Sequence, residues 1–182
     1  TTVAFGSQWL TPRLKHFLDL YPEITLTLIL DAADLDLSMR EADVAIRMSP
    51  ERQPDLIQRH LTTISTSLYA APVYLKEHGL PGSIEDLANH RLVVYGEDGH
   101  PPFPDVNWLL RLANAAGDTR PTLTINNTNG IFRAILDGLG VGSLPDYIVP
   151  ADGSLIRVLT QVEGPKVPAY FLYPEELRHS KR

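Results

Sequence analysis

No cysteine occurs in the 182 residues, which removes disulfides, zinc–thiolate sites and thiol nucleophiles from consideration. No run of about 18 apolar residues occurs either, so no membrane-spanning helix is expected. The first residues do not read as a charged-then-apolar leader. Bases are the minority charge, 16 against 22 acids for a net charge of −6, and they are scattered. A domain that grips nucleic acid through phosphates carries the opposite balance. This stretch is therefore not expected to hold DNA. A G-x-S-x-G elbow and a glycine-rich phosphate loop are both missing, so hydrolase and nucleotide chemistry have no support. The histidines, at positions 16, 60, 78, 90, 100 and 179, lack ligand spacing such as i, i+4 on one helix face. No metal site is expected.

What is present is an ordinary globular composition, 43% hydrophobic and 21% charged, long enough for one good core or two small ones. Residues 2–5 read as a short buried strand, followed by the loop Gly6-Ser7-Gln8-Trp9. Thr11-Pro12 then supplies an N-cap and a proline at the first helical position. Leu10, Leu14, Phe17, Leu18 and Tyr21 form the stripe of a half-buried helix that Pro22 ends. Residues 24–30 alternate and are rich in β-formers, which predicts a strand. A short helix over 34–40 and a strand over 43–47 follow. That order predicts an α/β fold with a mostly parallel, doubly wound sheet.

Residues 56–63 and 66–71 read as adjacent strands joined by a short turn. A helix over 72–78 opens on Pro72 and closes on Gly79, and Ser83-Ile84-Glu85-Asp86 resembles a capping box. Strands are expected over 91–95, 123–126, 141–144 and 168–173. A proline-rich surface loop is expected over 96–105, and a helix over 128–136. Two sets of strand–helix units with a returning strand fit two lobes joined by two crossovers: residues 1–71 plus 167–182, and residues 72–166. In open α/β sheets ligands sit beyond the carboxyl ends of the strands, which puts the expected site in a cleft between lobes.

Several segments have a familiar wording. Phe17 with Tyr21-Pro22-Glu23-Ile24, then Leu26 and Leu28, is one. Asp43-Val44-Ala45-Ile46-Arg47 is a second. A third block joins Tyr69-Ala70-Ala71-Pro72-Val73-Tyr74-Leu75, His78-Gly79-Leu80-Pro81 and Asp86-Leu87-Ala88-Asn89-His90-Arg91. Gly138-Leu139-Gly140-Val141-Gly142-Ser143-Leu144-Pro145 and Tyr170-Phe171-Leu172-Tyr173-Pro174 complete the set. In this order and spacing the chain resembles the C-terminal effector-binding (substrate-binding) domain of LysR-type transcriptional regulators.

The resemblance implies a two-lobed, periplasmic-binding-protein-like (type II) fold that binds a small metabolite, a small organic acid or aromatic compound, and catalyses nothing. It implies no cofactor, a cytoplasmic setting and a homodimer or homotetramer. It also implies a winged helix-turn-helix ahead of Thr1, in keeping with ends that read as those of a piece of a longer protein. His78 and His90 fall within the matching block as packing or capping groups. The competing reading is a solute-binding protein of a transport system, which shares the fold. An enzyme on this fold would need a cofactor lysine or a paired acid–base set, and neither is visible.

Candidate ligand-binding residues come from the strand-end rule. Ser7 and Gln8 precede the first predicted helix, whose N-terminal amides favour an anion; a plain loop serine is the alternative. Ala32 and Ala33, after Asp31, are small enough to let a ligand approach. Arg47 ends a strand and fits either a bidentate carboxylate contact or a structural salt bridge, with Ser49 on the loop beyond. Asn126, Asn127 and Thr128 run from a strand end into a helix, where capping needs one of them and leaves the others for a ligand. Trp9 reads as a stacking or rim residue.

Overall fold

The computed structural model describes residues 1–31, 37, 41–51, 53–96 and 101–179. It divides into two compact units. The first holds Thr1–Ile64, Pro102–Pro104 and Val167–Arg182, and the second Ser65–Pro101 and Asp105–Lys166. The first boundary lies inside a strand, between Ile64 and Ser65.

In the first unit the chain is helical from Val3 onward, with a wide π-turn over Phe5–Leu10 leading into α1, Thr11–Leu20. The strand expected over 2–5 is thus a helix. Side-chain hydroxyls bond back along this helical start. The Ser7 hydroxyl donates to the Val3 carbonyl (2.7 Å) and that of Thr11 to the Gly6 carbonyl (2.7 Å). Gly6 N–H reaches the Thr2 carbonyl at 2.9 Å. Ser and Thr hydroxyls bonding back onto carbonyls a turn earlier are compatible with helix, so Thr11 extends the helix instead of capping it. Pro12 sits in the first turn of α1 as expected.

Residues 24–30 carry no ladder. An alternating pattern marks a face, not a partner, and residues 3–5, within the strand expected beside it, are helical. The Thr1 ammonium donates to the Ile29 carbonyl and Asp31 N–H to the Thr1 carbonyl. The helix expected over 34–40 lies outside the described residues. β1, Ala45–Arg47, pairs antiparallel with β7, Lys166–Pro174, with Ile46 opposite Phe171. Phe5, Ile46, Met48, Val167, Ala169 and Leu172 are buried here.

β2 runs without a break over Leu56–Ala70, where two strands and a turn were expected. No glycine, proline or asparagine lies between 56 and 70, so turn chemistry is missing, while Ile, Thr and Tyr favour extended chain. Its first half lies in the first unit and its last residues in the second.

The second unit is a three-layer α/β arrangement. β2 pairs antiparallel with β5, Val141–Pro145, and with β6, Ile156–Val158. β3, Leu92–Tyr95, pairs parallel with β5 and with β4, Leu123–Ile125. The sheet is therefore mixed, with a parallel centre, because β2 enters it as the crossover strand. All four residues of β3 are buried, as a strand covered on both faces requires. One face packs Tyr74 of α2, Pro72–His78, and Trp108 and Leu109 of α3, Trp108–Ala116. The other packs Ile131, Ala134 and Ile135 of α4, Thr128–Leu136. The 3-10 turn Glu85–Asn89 stands where the capping box was read, and the Asp86 carboxylate accepts from Ser83 N–H and Gly82 N–H at 2.9 Å each.

α3 and β6 have no counterpart among the elements expected from the sequence. Gly142 alternates with Leu144 toward α4, and a Cβ there would lie 2.4 Å from Ile135 Cδ1. Glycine is what lets α4 press onto β5.

Candidate functional site

β4 ends at Ile125, and α4 begins at Thr128. The first turn of α4 lies so close to β4 that a Cβ on Gly130 would meet Ile125 Cγ2 at 2.6 Å. Asn127 is in extended conformation and its side-chain oxygen accepts from Gly130 N–H at 2.8 Å. It is the N-cap, and it satisfies one of the amides a helix start leaves open. Its Nδ2 donates to Asn126 Oδ1 at 3.4 Å. Asn126 is exposed and Thr128 half-buried. Capping thus takes Asn127, and the amide of Asn126 and hydroxyl of Thr128 flank it. This cluster sits at the carboxyl end of β4, where the parallel strands β3 and β5 also end.

Thr66 and Ser67 stand at that same end, opposite Pro145 and Leu144 in the β2–β5 ladder. The Thr66 hydroxyl donates to the Pro165 carbonyl at 3.0 Å. The Ser67 hydroxyl is buried beside the Tyr69 phenol. Two positions along, the Tyr69 phenol donates to Asp146 at 3.1 Å. Burial, then the Asp146 carboxylate, hold that phenol above the usual tyrosine range, with Ser67 and Arg157 pulling the other way. None of these four polar residues figured among the sequence candidates. The available signal was the run Thr62-Thr63-Ile64-Ser65-Thr66-Ser67, unusually hydroxylated for a strand whose last residues are buried.

In the first unit, Ser7 and Gln8 lie inside the π-turn and not in a loop, a correction that follows from the helix starting earlier. Ser7 is half-buried and Gln8 exposed. Trp9 stacks on Phe5 with ring centroids 4.7 Å apart, and the Arg13 guanidinium lies 4.2 Å from the Trp9 ring centre. Its ring is already occupied on both counts. Arg47, at the end of β1, is ion-paired with Glu51, and the two side chains are only 10% and 22% exposed. Gln58 brackets Glu51 from β2, accepting from its N–H at 3.1 Å and donating to its carbonyl at 3.3 Å. The salt-bridge reading of Arg47 is thus the one with a visible partner. Ser49 is half-buried on the bend that follows. Ala32 and Ala33 lie outside the described residues. Ser7 with Gln8, and Arg47 with Ser49, are two separate segments of the first unit, while Asn126, Asn127 and Thr128 share one turn of the second. Among the described residues no group of three His, Asp or Glu side chains is gathered to hold a metal ion.

The family described as the LysR substrate binding domain matches residues 1–182. The HTH-type transcriptional regulator CrgA of Neisseria meningitidis is 30% identical over 164 residues, covering 86% of this chain and 52% of that protein. An uncharacterised HTH-type transcriptional regulator of Haemophilus influenzae is 25% identical over 180 residues, 96% of this chain and 61% of that one. The solved structure of CrgA, described as a LysR-type transcriptional regulator, superposes with a TM-score of 0.82 at 27% identity, covering 97% of this chain and 60% of that one. The chain thus spans about half to three-fifths of the length of the curated relatives it matches.

Proposed function

Because this chain belongs to the LysR substrate binding domain family, the effector-binding regulatory part of LysR-type transcriptional regulators, we propose that it senses a small metabolite for a longer DNA-binding regulator. The match of the family over residues 1–182 carries this reading. The effector has a different affinity for two conformers of the domain, and that difference biases how attached DNA-binding domains are held. The family is one of regulators rather than enzymes, and the chain is read as non-catalytic. No helix among the described residues is long and apolar enough to cross a membrane; the reading places the protein in the cytoplasm, as its role requires.

The effector contacts are assigned to Ser7 and Gln8 in the first unit and to Asn126, Asn127 and Thr128 in the second. Ala32, Ala33 and Ser49 are secondary candidates. Arg47 drops in rank, because its guanidinium is engaged by Glu51. Support for the second-unit group is the exposed amide and the hydroxyl beside a capped helix start, a place where backbone amides favour an anion or carbonyl oxygen. An organic acid or aromatic carboxylate fits this donor set.

A two-step experiment tests the assignment. Thermal melting against a metabolite panel finds the effector, since a ligand at 100 times its Kd adds roughly 2.7 kcal/mol. Calorimetry on Thr128→Val and Asn126→Ala then measures the contacts. Each lost hydrogen bond is expected to weaken binding roughly 3- to 100-fold, with melting in the absence of effector unchanged. Full affinity in both variants would move the site elsewhere.

A further inference from the structure

Away from the amide cluster, the second unit holds a tyrosine clasped by two histidines. Tyr74 of α2 is 1% exposed. Its phenol oxygen accepts from Arg91 N–H at 2.8 Å and lies 3.1 Å from His90 Nδ1. The His78 ring stacks on the tyrosine ring, centroids 4.3 Å apart, with its Nδ1 3.2 Å from the Tyr74 carbonyl. Arg91 is tied onward, since its carbonyl accepts from Val141 N–H of β5 at 2.8 Å. One phenol therefore fastens α2 to the chain that enters β3 and β5.

The hydrogen-bond roles follow from satisfaction. The phenol oxygen is already an acceptor for Arg91 N–H. Its own proton needs an acceptor in a buried place, and His90 Nδ1 is the ring nitrogen in reach. That assigns the neutral imidazole with its proton on Nε2. Protonating Nδ1 turns the acceptor into a donor. Two donors then face the phenol oxygen, and the phenol proton loses its partner at this ring.

We propose that His90 is an acid-operated catch for α2: neutral, it holds Tyr74 against the 90–91 turn, and protonated, it lets that corner open.

The charges around it set the direction. From α2 comes His78, whose cation disfavours a second one on His90; Lys76 and Glu77 of the same helix are exposed. From the 3-10 turn comes Asp86, which attracts the proton, with the exposed Glu85 beside it. At the entry to β3 stands Arg91, another cation. α3 packs on the 3-10 turn, and its Arg111 is paired with Asp105. On the turn after α4, Asp137 is paired with Arg133. Burial, then His78, outweigh Asp86 and hold the His90 imidazole below its usual range. A histidine whose folded pKa is lowered adds stability above its unfolded value, about 6.5, and loses it as pH falls through the folded value. The catch is shut at neutral pH and opens on the acid side of 6.5.

Nitrogen-detected NMR with amide exchange tests this on the chain as it stands. Imidazole 15N shifts are expected to give His90 Nδ1 unprotonated at pH 7.5 and a midpoint below 6.5. Arg91 amide protection, corrected for intrinsic exchange, should fall roughly tenfold or more by pH 5, the size of one lost buried hydrogen bond. His78→Gln should move the His90 midpoint upward, and His90→Gln should make Arg91 protection insensitive to pH across the window. A His90 midpoint at or above 6.5, a protonated Nδ1 at pH 7.5, or an equal loss of protection in His90→Gln would each overturn the proposal. Should His90→Gln fail to fold, the native nitrogen shifts and the His78→Gln displacement decide it.

Discussion

Asn127 does two things that a single substitution can separate. Its side chain caps α4 through Gly130 N–H, and with its neighbours Asn126 and Thr128 it is assigned to effector contact. Asn127→Ala should cost about 1 kcal/mol of stability, whereas Asn127→Asp should keep the cap. Chemical denaturation of the two variants measures this, and equal midpoints would remove the capping role. Arg47 offers the converse case. Both members of the Arg47–Glu51 pair are largely buried, and removing one partner of such a pair strands the other charge. Glu51→Gln is therefore expected to destabilise the fold by about 1–3 kcal/mol. If melting is unchanged and only effector affinity shifts, Arg47 belongs to the binding site after all.

At the scale of elements, the turn between α4 and β5 decides how two layers meet. Gly138 has φ +80°, in the left-handed region. At Gly140 a Cβ would lie 2.3 Å from the Arg91 carbonyl oxygen, a backbone atom that cannot swing aside. Gly117, which ends α3, has open space around the same position and extended backbone. Gly140→Ala should thus cost about 1–3 kcal/mol as overpacking does. Gly117→Ala should be neutral or stabilise by up to about 1 kcal/mol through the unfolded chain. Melting curves that do not separate the two would show that the close approach at Gly140 is not needed.

Over the whole molecule, charge and exposed apolar surface set the expected associations. With a net charge of −6, this chain should not shift duplex DNA at physiological salt; a micromolar gel shift would contradict that. Phe17, Leu18, Leu20 and Tyr21 of the first helix region and Ile24, Leu26 and Ile29 after it are exposed. The stripe expected to face inward from α1 is thus largely outside, where a cluster of large apolar side chains marks an association surface. We expect a homodimer through this region, and Leu18→Glu should convert it to monomer in sedimentation.

Sequence alone was sufficient where the punctuation is local. α2 opens on Pro72 and closes on Gly79, and α4 starts after an asparagine cap and stops before Gly138, so proline, cap and glycine chemistry determine their bounds. β3 and β5 likewise read as short apolar runs between such signals. Tertiary structure decided what depends on partners. Residues 2–5 and 24–30 have strand-like patterns, but a strand exists only where another backbone completes its ladder, and here Val3–Phe5 enter a helix and 24–30 carry no ladder. The same holds in the candidate site. That Asn127 takes the cap and Glu51 takes Arg47 depends on distances between groups, and residue type and spacing along a chain leave those distances open.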